Sequence, residues 1–447
     1  MLFNNLLSKS FLFTFALLSF VPELIVGETV KDRAGAVLED RSKMKKNDRW
    51  IYNDWQSGFD QAKKTGKPLL VVLRCVPCLA CMGIDASVLT EPELAPLLEK
   101  FVCVRVMQAN ALDLARFQFD YDLSFSTMFF NGDGTVYGRF GSWTHQKNSQ
   151  DKTTTGFKRA LETTLAIHRG FPANKTSLLG KQSTPMPVRD PLELPDLAGK
   201  YKRDLDWEGK VVQSCVHCHQ IGDGVRSLYR EQKKQIPREW IYPMPPPETI
   251  GLTLSPESVA RVQGVEKNSI AAKAGIQVGD EFLTLGGQRL VSIADFCWGL
   301  HHAPDTGSLT AQIKRAGAEK IVSLKLTTDW RLSSDISRRV GTWGMRAMAL
   351  GGLFLEDLSP EQRTERGIKE NQMALLVKHA GEYGNHAAAK NAGFQKNDIL
   401  VSVDGLTSAI TESELIGRLL EKHGPGEKVK AAVLRGSTRL DLVLPMQ

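Results

Sequence analysis

Two groups of cysteines have the spacing of a reactive centre, and the first is Cys215-Val216-His217-Cys218-His219. On a helix, Cys215 and His219 stand four apart and project from one face. Thiols so placed add to the vinyl groups of haem as thioethers, and the imidazole then ligates the iron. The pentapeptide points to covalent haem c at Cys215, Cys218 and His219. A disulfide, or half of a zinc site through Cys218 and His219, are the other uses these residues support. Met244 stands among Pro243, Pro245, Pro246 and Pro247. A thioether on a proline-stiffened turn is a candidate for the iron's far side; the alternative is a methionine packed in a rigid turn.

The second group is Cys75, Cys78 and Cys81, each three residues from the next. Lys67-Pro68 and the apolar run Leu69 to Leu73 lead into Cys78-Leu79-Ala80-Cys81, and this stretch resembles the thioredoxin-like fold. The resemblance implies a strand that delivers a Cys-x-x-Cys onto the start of a helix. There the macrodipole favours a thiolate, and a partner three residues on can close a disulfide. Cys78 is then the attacking thiol and Cys81 the resolving one. Cys75 offers a rival pair with Cys78. A structural disulfide and metal or cofactor binding by three thiols are the remaining uses. Where thioredoxins carry a cis-proline that helps position a client, this chain has Phe125-Ser126-Thr127-Met128-Phe129. Cys103, inside the apolar run Phe101 to Val106, and Cys297 read as small buried hydrophobes.

At 447 residues the chain exceeds one ordinary core, so three or four modules are expected. Periodicity predicts a helix over Asp54 to Lys64, a buried strand over Leu69 to Leu73, a strand over Phe101 to Val106 and a hairpin turning at Asn131-Gly132-Asp133-Gly134. A closing helix over Gly156 to His168 completes an α/β domain at 48–170. Residues 171–196 hold Pro172, Pro185, Pro187, Pro191 and Pro195, a linker composition. A small, mostly helical haem segment follows at 197–247. It is about half the size of a usual cytochrome domain, which implies that it leans on a neighbour. At the start, Lys9, the apolar run Phe11 to Val21 and Gly27 have the layout of a signal peptide over 1–27, with an uncleaved membrane anchor as the alternative. Export to the periplasm or beyond the cell is expected. Hydrophobic content of 42% and charged content of 24% exclude a disordered or membrane-embedded chain. The net charge of +7 comes from bases interspersed with acids, which excludes a nucleic-acid partner.

Two stretches look like one unit used twice. Ile270-Ala271-Ala272-Lys273-Ala274-Gly275 runs on to Gly279-Asp280-Glu281-Phe282-Leu283. Ala387-Ala388-Ala389-Lys390-Asn391-Ala392-Gly393 runs on to Asn397-Asp398-Ile399-Leu400. Both resemble PDZ domains of the circularly permuted bacterial type, over 248–330 and 344–447. That resemblance implies two α+β domains in which a glycine-hydrophobic pair receives a peptide's terminal carboxylate. The matching residues are Gly251 with Leu252 and Gly352 with Leu353. No Ser, His and Asp set precedes these units, so a protease is excluded.

The whole chain resembles exported bacterial multidomain proteins that join a thioredoxin-like domain, a Cys-x-x-Cys-His segment and PDZ-like domains. What this implies is a redox protein: haem c electron transfer, a thioredoxin-like dithiol acting as a thiol-disulfide oxidoreductase, and modules that hold a peptide, a protein C-terminus or a redox partner protein. The alternative is a non-catalytic adaptor whose thioredoxin-like domain is a scaffold.

Overall fold

The computed structural model describes residues 32–74, 89, 91–123, 125–141, 154–337 and 339–447. The leader at 1–27 and the cluster Cys75, Cys78 and Cys81 lie outside the described residues.

The apolar run Leu69–Arg74 forms β2, buried along its whole length. A strand with no polar face needs cover on both sides. It pairs in parallel with β3 (Val102–Val106), which in turn pairs with β1 (Trp50–Tyr52). On its other side lie β4 (Phe125–Phe130) and β5 (Val136–Phe140), both antiparallel, giving the order β1-β3-β2-β4-β5. The helix Trp55–Thr65 starts at Asp54, whose side chain accepts from the Ser57 amide, and stops at left-handed Gly66. Its Phe59 and Ala62 pack with Leu69, Val71, Val104 and Phe130. The helix Thr154–Arg169 covers the opposite face, with Phe157, Leu161 and Leu165 against Leu70, Val72 and Phe129. Cys103 and Cys297 are both buried, as expected of small apolar groups, and burial pushes the Cys103 thiol up to about 12.

The proline-rich segment is no open tether. Its 3₁₀ turn Lys175–Lys181 buries Leu178 and Lys181, and Lys181 Nζ meets Asp295 Oδ2 at 2.5 Å with both side chains fully buried. Asp295 belongs to the helix Ile293–His301. That helix covers the outer edge of β5: the Arg139 amide donates to Asp295 Oδ1 and Ser292 Oγ donates to the Arg139 carbonyl. An edge strand left open would invite pairing with another chain; here an internal helix closes it. A Cβ on Gly138 would stand 2.6 Å from Val291 Cγ2, so only glycine admits this approach.

The first C-terminal unit has a two-stranded sheet of β6 (Leu252–Leu254) and β7 (Val262–Val265). It also has a four-stranded sheet of β8 (Glu281–Leu285), β9 (Gln288–Arg289), β10 (Gly307–Arg315) and β11 (Ala318–Leu326), ordered β11-β10-β8-β9. The second has one sheet, β12 (Leu353–Asp357), β13 (Leu375–Ala380), β14 (Ile399–Val403), β15 (Lys428–Arg435) and β16 (Thr438–Pro445), in sequence order. Their kinship is carried by a shared device. In the first, Arg315 forks onto Asp280 at 2.7 and 2.6 Å and donates to the Gly275 carbonyl, while Asp280 accepts from the Gln277 amide. In the second, Arg435, Asp398, Gly393 and Gln395 repeat every one of these bonds. Among the described residues no helix is long and apolar enough to cross a membrane.

At the end of the helix Glu412–Lys422, His423 sits between Glu427 Oε2 (2.7 Å) and Asp404 Oδ2 (3.0 Å). Burial opposes its charge, but the two carboxylates prevail and raise its pKa above 6.5. The added stability is complete below pH 6.5 and fades as pH rises through the raised folded value. His423→Gln is therefore expected to cost at most about 1 kcal/mol below pH 6 and almost nothing at pH 9, read from urea midpoints at the two pH values.

Candidate functional site

The Cys215–His219 segment is held by the loop that leaves β3. Asn110, fully buried, accepts from the Val216 amide through Oδ1 (2.7 Å) and donates through Nδ2 to the carbonyls of Lys202 (2.7 Å) and Ser214 (2.8 Å). The Ala109 amide donates to the Val216 carbonyl. This clamp sets the start of the helix Cys218–Glu231, where the His217 amide donates to Gln220 Oε1 as one half of a capping box. Val216, Ile221 and Val225 then enter the apolar cluster that covers one face of the β1–β5 sheet. At its other end, Arg230 donates to the carbonyls of His423 and Gln447, tying the helix to the last unit. So the short segment leans on two neighbours, which is how it is ordered without a core of its own.

Cys215 is 2% exposed, and its thiol lies in a closed cluster with Val37, Met107, Leu205 and Val211, 3.9 Å from the Met107 carbonyl. Leu73 of β2 and Val106 of β3 are register partners, so Met107 stands beside the end of β2. From that end the chain passes Arg74 directly to Cys75. The segment thus sits at the C-terminal end of β2, the central strand, from which the sequence runs on to Cys75. Charges line the same end of the strands: Arg105 Nη2 meets Asp40 at 3.0 Å, Arg74 Nη1 meets it at 3.4 Å, and Tyr52 donates to its other oxygen. Burial raises the Asp40 carboxyl, against the pull of Arg74.

His219 Nδ1 lies 3.5 Å from Asp223 Oδ2, and Asp223 Oδ1 accepts from Arg226 at 2.7 Å. Burial works against the Asp223 charge, but His219 and Arg226 hold its carboxyl below the usual range. His217 stacks on His219 at 5.9 Å, and burial, with the charges of His219 and Arg33, lowers its pKa.

A porphyrin joined to both thiols and ligated by His219 needs one flat open space bordered by all three. Cys218 is half-buried and His219 about a third exposed, with Nδ1 turned to a carboxylate as in many metal-bound histidines. Cys215 fits less well: it is 2% exposed and packs with Val37, Met107, Leu205 and Val211, so a ring bonded to its sulfur would have to displace part of that cluster. Met244 packs with Ile250 and Leu252, and its backbone is held by His301 and Arg339. It lines a cavity of about 460 Å³ together with Tyr121, Gly222, Trp240 and His302, and His219 is not part of that wall. Among the described residues no three His, Cys, Asp or Glu side chains converge on a point for a metal ion, so Cys218 and His219 gain no third ligand there.

The loop leading into β4, where a thioredoxin has its cis-proline, is tied down from outside. Arg339, between the two C-terminal units, donates to both oxygens of Asp120 (2.9 and 3.0 Å) and reaches Asp122 at 3.4 Å. Burial, opposed by Arg339 and aided by the Asp122 charge, raises the Asp120 carboxyl.

Gly251 and Gly352 both have positive φ, and their amides are already used. Gly251 donates to the Glu248 carbonyl and Gly352 to that of Arg346. Leu252 and Leu353 point into the cores of their units. Asn110, Asp40 and Arg339 escaped the sequence reading; single polar residues with distant partners leave no spacing signal.

Residues 50–132 match the thioredoxin-like family, and that part of the chain is a thioredoxin-like domain. No curated protein matches the sequence. Solved structures similar to part of the chain include the HtrA-type protease AlgW with a decapeptide, at 16% identity and a TM-score of 0.20, and AlgW with a tripeptide, at 17% and 0.19. The match covers 31% and 30% of this chain and 47% of each AlgW chain, so it spans less than half of those proteins.

Proposed function

We propose that this chain is an exported thiol-redox protein that holds its partner through the C-terminal units. The observation that carries the reading is the position of Cys215, clamped at the end of the sheet from which β2 runs into Cys75. Cys78 and Cys81 form the exchanging dithiol. Cys215 and Cys218 form a second pair matched to it in electron count. The Cys78 thiolate attacks a Cys215–Cys218 disulfide, a mixed disulfide forms, and Cys81 resolves it. Two electrons and two protons leave one dithiol and reduce the other. The C-terminal units, PDZ-like in their repeated Asp-Arg-Gly device and glycine turns, hold the client.

Alkylation and mass mapping of the chain, poised in a glutathione buffer, test this. In the native chain oxidation state moves between the two pairs, whereas Cys78→Ser is expected to freeze the 215–218 pair and Cys81→Ser to accumulate a mixed disulfide. Transfer that persists in Cys78→Ser would sink the proposal.

Haem c on Cys215, Cys218 and His219 is the second reading, favoured by the His219–Asp223 contact. It requires Cys215 to leave its aliphatic cluster. A haem stain of chain matured in a host able to attach haem c decides between them: a stained band selects this reading, an unstained one the thiol pair.

A further inference from the structure

The cavity of about 460 Å³ that Met244 borders lies where three parts of the chain meet. Tyr121 comes from the loop before β4, Trp240 from the short helix Arg238–Ile241, and His301 and His302 from the end of the helix Ile293–His301. Junctions of this size are ordinary places for small ligands. The rings of Tyr121 and Trp240 are parallel to within 4°, with centroids 6.4 Å apart, so the wall carries aromatic rings in one orientation.

Two imidazoles on the wall are fixed in opposite tautomers. Burial above all, aided by nearby positive charge, lowers both below 6.5, so both rings are neutral at pH 7. His301 Nδ1 accepts from the Met244 amide at 3.3 Å, which puts its one proton on Nε2. His302 Nδ1 donates to the Trp298 carbonyl at 3.1 Å, which leaves Nε2 an acceptor. Met244 holds the unusual φ of 44°, kept there by His301 at its amide and Arg339 at its carbonyl, so the His301 tautomer is built into the turn. Among the described residues, neither Nε2 nor the Trp240 indole N–H has a partner, and none of the three is sealed in the interior.

The charges on the wall are answered within the fold. Arg226 donates to Asp223 and to the Trp240 carbonyl, Arg331 to Asp305 and to the carbonyls of His301 and Ala303, and Arg339 to Asp120 and Asp122. Arg226 Nε and Arg331 Nη1 have no partner, but both are shut inside the protein and reach no ligand. Of the charged side chains lining the cavity, only the exposed Glu239 is without an ion pair among the described residues.

We infer that this cavity binds a small, neutral, flat heterocycle carrying both a carbonyl and a ring N–H. The carbonyl accepts from His301 Nε2 or the Trp240 indole, the ring N–H donates to His302 Nε2, and the ring lies along Tyr121 and Trp240. The site is separate from the thiol exchange proposed above and does not depend on it.

Calorimetric titration of the full chain with four probes supplies the test. Quinazolinedione has the flat ring, the carbonyls and the N–H groups; its dimethyl derivative keeps the ring and carbonyls but has no N–H. Naphthoate and naphthylmethylammonium are an anion and a cation of similar size. Quinazolinedione is expected to bind best, about tenfold tighter than the dimethyl derivative. In His302→Phe, which keeps a ring beside Trp298, the two should bind alike, with quinazolinedione about tenfold weaker and the melting curve unchanged. Trp240→Leu should weaken both. Equal binding of the two diones to the native chain would overturn the inference, as would tighter binding of either charged probe or binding of none. Quinazolinedione binding untouched by His302→Phe and Trp240→Leu removes the cavity as its site.

Discussion

Asp295→Ala is expected to cost about 3–5 kcal/mol, the range for removing one partner of a buried ion pair. Asp295 is fully buried and accepts at once from the Lys181 ammonium and from the amides of Arg139 and Val291. Truncation leaves a buried ammonium and two amides without the acceptor they had. The lost bonds also release the helix Ile293–His301 from the edge of β5, so the first C-terminal unit should melt apart from the thioredoxin-like domain. Urea denaturation followed by tryptophan fluorescence will show it, since Trp298 donates to the Gly180 carbonyl across this seam. A single transition in the native chain should split in two. The double variant Lys181→Met/Asp295→Leu should recover the part of the loss due to the stranded ammonium, while the amides of Arg139 and Val291 stay without their acceptor. A single variant within about 1 kcal/mol of the native chain would show that the seam is not held by this pair.

Asn110→Ala should have the second-largest effect, and it reaches function. Removing the amide leaves the Val216 N–H and the carbonyls of Lys202 and Ser214 without their bonds, at about 1–3 kcal/mol for each buried group left unmet. The helix Cys218–Glu231 stays anchored at its far end through Arg230, so the loss is felt at Cys215. If opening of the segment becomes easier by about 3 kcal/mol, iodoacetamide should label Cys215 about a hundredfold faster, while Cys103 in the sheet stays protected. Mass mapping against time gives both rates from one sample. Equal Cys215 labelling in variant and native chain would mean that Asn110 does not clamp the segment.

The thioredoxin-like core was legible because its strands are long apolar runs. Leu69 to Leu73 could only be a strand covered on both faces, and Asn131-Gly132-Asp133-Gly134 could only turn. The repeat was legible from its small-residue helix and glycine stop. The partners of Asp280 and Asp398 were not, because Arg315 and Arg435 lie 35 and 37 residues further on. The proline-rich stretch 171–196 misled as to its burial: composition reports backbone stiffness, not what Lys181 will find opposite it. At Gly251 and Gly352 the sequence marked only a glycine-hydrophobic pair; the use of their amides depends on where the preceding turn ends.

Sequence by itself determined which groups can do chemistry, since thiols three apart and an imidazole beside them are fixed by covalent order. It also determined the local elements, whose periods are set by backbone geometry. Only the tertiary structure decided what those groups can reach. Cys215 is 108 residues from Met107 in sequence and 3.9 Å from its carbonyl in space, and side chains brought there from three separate segments bury it. Burial and enclosure arise from the packing of distant parts, and no local pattern encodes them.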